Sequence, residues 1–89
     1  MSRRNDLCER VVDNIRNLAD DWRSLGDRLA RIDSALYEAA TNRDRLRQQW
    51  QKLESVRGQK LRLIRQYQES FNRLDCFDLG FSHEVLNLP

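Results

Sequence analysis

Proline is all but missing from this chain: the one proline among 89 residues is the last, Pro89. Nothing between Ser2 and Leu88 therefore breaks a helix by deleting a backbone N–H. Glycine is scarce too, at three residues, and aromatics are 8% of the chain. That excludes a sheet protein, which needs turn residues and β-branched or aromatic strands. No apolar run reaches the roughly 18 residues that a membrane-spanning helix requires, so no transmembrane segment is expected. The start, Met1-Ser2-Arg3-Arg4-Asn5-Asp6, leads into charged amphipathic sequence and lacks the apolar core of a secretion signal.

Cysteine and histidine are equally sparse. Cys8 and Cys76 stand 68 residues apart with no CxxC, and His83 is the one histidine. Neither a zinc site nor a disulfide framework is expected from that spacing, and reduced thiols serving as small hydrophobes are the reading. The chain then reads as soluble and intracellular, in the cytoplasm, with the nucleus also compatible. No glycine-rich phosphate loop and no nucleophile pattern accompany His83, and Ser82 is merely its neighbour. No catalytic, cofactor-binding or metal-ligating residue is expected, and no small-molecule substrate. The chain reads as a non-enzyme.

What is present is periodicity. Cys8, Val11, Ile15, Leu18, Trp22, Leu25, Leu29, Ile32, Leu36 and Ala39 follow alternating steps of three and four, and Leu46, Trp50, Leu53, Ile64, Tyr67, Phe71 and Leu74 continue the frame. Of the 20 a and d positions from residue 8 to 74, 17 are apolar, where chance placement would give about eight. This is a coiled-coil seam. The fold class expected is all-α: a long amphipathic helix over residues 6–75, joined to partner helices in a coiled coil or bundle. Residues 1–5 form a lead-in, and residues 76–89 form an apolar tail.

The seam has two weak points, at 41–44 and 57–60. Thr41-Asn42-Arg43-Asp44 is a cap-capable cluster between arms of nearly equal length, which suits the turn of an antiparallel hairpin. The heptad phase runs on across it unaltered, which favours one continuous helix. Arg57 and Lys60 then occupy consecutive a and d positions, and Arg43 a third basic seam position. Charges in a seam are costly unless their heads find acids or water. Val12, Val56, Leu61 and Leu63 widen the stripe onto its flanks, so more than two helices are expected over part of the assembly.

Charge is unevenly spread. The net is +2, yet residues 41–74 hold nine bases against three acids. A basic coiled coil could bind nucleic acid or an acidic lipid surface, but these bases are interleaved with glutamines and lack an aromatic stacking platform. Nucleic acid is therefore disfavoured as a partner, and protein helices are expected instead. A heteromeric complex is favoured over a homo-oligomer, because the three basic seam positions ask for acids on another helix. The function expected is assembly or scaffolding through the stripe of Val11, Ile15, Leu18, Trp22, Leu25, Leu29, Ile32, Leu36, Leu46, Trp50, Leu53, Ile64, Tyr67, Phe71 and Leu74. In the tail, Phe77, Leu79, Phe81, Val85 and Leu86 are expected to dock on the bundle or on a partner. Leu74-Asp75-Cys76-Phe77-Asp78 also resembles the LxCxE motif that docks on retinoblastoma-type pocket proteins, with Asp78 where that motif has Glu. The resemblance covers five residues and implies a short extended docking segment.

Overall fold

The computed structural model describes residues 2–89. Two long helices, α1 (Arg3–Glu38) and α2 (Arg43–Arg73), lie against each other as an antiparallel hairpin, followed by 3-10 turns at Cys76–Leu79 and His83–Asn87. Among the described residues there is no strand. The principal-axis extents are 59 × 17 × 16 Å, a little over the length of about 54 Å that α1 has at about 1.5 Å per residue, with a cross-section that the two helices and the folded-back tail fill together.

The continuous helix over 6–75 does not form, because the chain reverses at residues 39–42. Ala39 leaves the helix with an extended backbone, and Asn42 enters α2 in the left-handed region at φ 63°, a conformation asparagine tolerates better than most residues. The unbroken phase has a simple cause. A four-residue turn uses up about one helical turn's worth of sequence (about 3.6 residues), so the three-four spacing survives a reversal of direction. Arg43, the first basic seam residue, is part of the turn. Its Nη1 donates to the Leu36 and Ala39 carbonyls at 3.0 and 3.3 Å, supplying a cation to a helix C-terminus with no basic residue in its last turn.

At the other end Ser2 caps α1, its Oγ accepting from Asn5 N–H at 3.4 Å. Residues 3–5 of the expected lead-in are thus helical, and Met1 lies outside the described residues. After α2, Asp75 takes a left-handed backbone, φ 53°, and turns the chain back. Gly80 closes the first 3-10 turn at φ 96°, its N–H bonding the Phe77 carbonyl at 3.0 Å; a Cβ would be strained at that φ. Ser82 caps the second turn through Glu84 N–H. The tail folds onto its own hairpin.

Candidate interaction surface

The hairpin is closed at its termini and open towards its turn. The core sits at the closed end, where Cys8, Val11, Val12, Ile15 and Ala19 of α1 meet Ile64 and Phe71 of α2 and Cys76 and Val85 of the tail. Ile15, Ile64 and Phe71 are 0–1% exposed, each a burial worth about 1.5–3 kcal/mol. Leu79, Phe81 and Leu86 are partly buried against this cluster, and Phe77 stacks on His83 with ring centroids 3.8 Å apart.

Two bonds hold the tail there. Cys8 and Cys76 form a disulfide with Cα atoms 5.6 Å apart, so the expectation of two reduced thiols is overturned. The reversal at 39–42 explains it: the hairpin carries residue 8 and residue 76 to the same end of the molecule, which their spacing of 68 in sequence conceals. Gln68 is the second tie. Its buried amide donates to the Val85 carbonyl at 2.9 Å and to the Leu88 carbonyl, while its Oε1 accepts from Arg65 at 3.0 Å. All three contacts orient one side chain as a clamp on the tail. Cys76 is 0% exposed, in a 3-10 turn and disulfide-bonded, so Leu74-Asp75-Cys76-Phe77-Asp78 is not an extended docking segment and the LxCxE resemblance is not carried into the fold.

Midway along, the two remaining basic seam residues find partners on α1 of the same chain. The Arg57 guanidinium lies 3.6 Å from the centroid of the Trp22 ring, and its Nε donates to the Trp22 carbonyl at 3.1 Å. Gly26 makes room for it: a Cβ there would fall 2.5 Å from Arg57 Nη2. Lys60 pairs with Asp21 at 3.6 Å. A stacked, partly desolvated arginine is worth about 0.5–2 kcal/mol, and an exposed pair like Lys60–Asp21 less than about 1 kcal/mol.

Towards the turn the seam loosens. Leu25 and Leu29 are buried, whereas Ile32, Leu36, Leu46, Trp50, Leu53 and Val56 are only half-buried. One side of the hairpin is open along its length. At the closed end the tail covers the e columns, where Val12, Ala19 and Gln68 are buried. The g columns stay uncovered, with Leu7 39% and Leu63 40% exposed. On that g side a groove of about 500 Å³ lies between the arms, floored by Ile32, Leu53 and Val56 and rimmed by Arg28, Arg31 and Lys52, with Gln49. No acid lines it. Trp50 Nε1 is buried in this half of the seam with no hydrogen-bond partner, a desolvated donor left unpaired.

The predicted stripe is thus brought together within one chain, arm against arm. Val11, Ile15, Leu25, Leu29, Ile64 and Phe71 are buried in it, and Leu18, Trp22, Tyr67 and Leu74 are partly buried beside the core. The flanking residues that widened the stripe divide by side, Val12 meeting the core and Val56 lining the groove. Sequence reasoning missed Gln68, whose e position gives no hint of a clamp, and the Arg57–Trp22 stack, which shows only once the arms are antiparallel. Among the described residues no group of three or more His, Cys, Asp or Glu side chains is placed to hold a metal ion, and no helix is long and apolar enough to cross a membrane. No family model, curated protein or solved structure matches the chain.

Proposed function

We propose that this chain is a non-enzymatic assembly module, a self-closed helical hairpin that joins a heteromeric complex by accepting a partner helix on its open side. The observation that carries the reading is the gradient of closure. Tail, disulfide and Gln68 seal one end, while the half-buried seam residues towards the turn remain on a surface that a third helix would cover. Two packed helices cannot bury a stripe this wide, and a further helix can.

The structure changes the terms on which a partner is sought. Arg43, Arg57 and Lys60 no longer ask for acids on another chain, since α1 answers all three. Engaging them also removes three of the nine bases on which an anion-binding reading of residues 41–74 rests. The disulfide supports a compartment in which thiols oxidise, in place of the cytoplasm suggested by the sequence.

Light scattering with circular dichroism on the oxidised chain tests the reading. A helical monomer of 10.7 kDa at micromolar concentration is expected. A defined multiple with concentration-dependent melting would put a homo-oligomeric scaffold in its place. Salt-sensitive binding of duplex DNA or anionic vesicles would instead favour the charge-driven reading.

A further inference from the structure

Resting on that assembly reading, we propose that the g-side groove is a docking site for an acidic-flanked amphipathic helix, with Ile32, Leu53 and Val56 as its floor and Arg28, Arg31 and Lys52 as its charged rim. Three adjoining concavities make up this side. The central one shares Arg28 and Val56 with the concavity beside Asp21 and Lys60, and shares Gln49 with the one beside Ala35 and Arg45. From Asp21 to Glu38 the side runs 17 residues of α1, or about 26 Å at about 1.5 Å per residue. A helix of five turns fits that length.

The chemistry of the groove selects its occupant. An apolar floor between two parallel ridges is the surface into which an amphipathic helix lays its apolar face. The rim of the central concavity is cationic; of the two acids in the concavities beside it, Asp21 is already paired with Lys60, and Glu38 lies at the far end, where Arg45 also lines the surface. A partner whose flanking columns carry Glu or Asp meets that rim with opposite charge, and a Lys-flanked partner is repelled. The same rim disfavours a second copy seated face to face, because an isologous contact sets like patches against each other. A nucleic-acid backbone would satisfy the cations but leave Ile32, Leu53 and Val56 wet, so a peptide helix is the better match.

The test uses the full oxidised chain and two synthetic helices of about 18 residues, five turns, alike in their Leu seam and differing only in Glu or Lys at the flanking columns. Binding is followed by fluorescence anisotropy and by two-dimensional NMR. The Glu helix is expected to bind saturably, to shift Ile32, Leu53 and Val56 while leaving Val85 in place, and to bind at least about tenfold more tightly than the Lys helix. The double substitution Arg28→Glu, Lys52→Glu, on exposed rim positions that do not disturb the fold, should reverse the order of the two helices. Equal binding of both helices, binding at the tail, or binding of duplex DNA or anionic vesicles in place of the Glu helix would each overturn the proposal. The failures separate cleanly. A homo-oligomer in light scattering defeats the assembly reading before any peptide is added, whereas a monomer that ignores the Glu helix defeats only the assignment of the groove.

Discussion

Opening the Cys8–Cys76 bond should remove a large share of the stability of this hairpin. The bond closes a loop spanning 68 residues, and the entropy that such a closure takes from the unfolded chain corresponds to about 4 kcal/mol at 25 °C. A chain of 89 residues has roughly 5–13 kcal/mol in total, so the bond supplies between a third and most of it. Beyond this global loss, local loosening should begin in the tail. Cys76 and Val85 are buried against α1 and α2, and without the tie only the Gln68 clamp and apolar contact hold them. The measurement is urea denaturation of the oxidised protein, of the same protein in reductant, and of the Cys8→Ala/Cys76→Ala variant, after intact mass has shown the oxidised chain two hydrogens lighter than the reduced. With a slope of about 1 kcal/mol per molar for so small a domain, the midpoint should fall by about 3–4 M. Amide exchange at Val85 and Leu88 should accelerate before exchange in the middle of the helices does. A midpoint unchanged to within about 1 M, with tail protection retained, would refute the reasoning.

Other outcomes follow from the same geometry. Ile15→Ala, at 0% exposure in the closed end, should cost about 2–5 kcal/mol, whereas Ile32→Ala in the half-buried groove should cost clearly less; equal losses in thermal unfolding would contradict the gradient of closure. Gly26→Ala would ordinarily stabilise a helix by about 1 kcal/mol. Here its Cβ displaces the Arg57 guanidinium from Trp22, so the gain should appear only in an Arg57→Ala background, and a double-mutant cycle with no coupling would dismiss the stack. Gln68→Leu should cost about 1–3 kcal/mol by removing the amide that donates to the Leu88 carbonyl and, beside Leu88 N–H, to the Val85 carbonyl, and should speed amide exchange in the tail while sparing the turn.

The helical class and the buried stripe were legible because periodicity is a local property. Val11, Ile15, Leu29, Ile64 and Phe71 lie in the interior where their spacing put them. The choice between one helix and two was not legible, because a four-residue turn leaves the heptad count intact; the cap-capable cluster at 41–44 marked the right place without deciding the direction. That one ambiguity hid everything non-local. With the arms antiparallel, Cys8 meets Cys76, Arg57 finds Trp22, and Lys60 finds Asp21. With the arms continuous, the same residues read as lone thiols and unsatisfied seam charges. The tail was marked as a docking segment by its apolar content, and its target turns out to be the hairpin that precedes it. Of the candidate surface, the flanking Val56 was visible in advance as a widening of the stripe. The split at the closed end between a covered e side and an open g side depends on where the tail lies, and no local pattern encodes that.

The self-closed hairpin underlies every functional step, and one distance tests it most directly. Spin labels attached through ketone-bearing unnatural residues, which spare the native cysteines, would replace the exposed Arg16 and Arg65, and their separation would be read by pulsed electron resonance in dilute oxidised protein. A cross-section of 17 × 16 Å with helix axes about 8–10 Å apart predicts a separation below about 30 Å. A separation near 73 Å, which is 49 residues of uninterrupted helix at about 1.5 Å each, would contradict it.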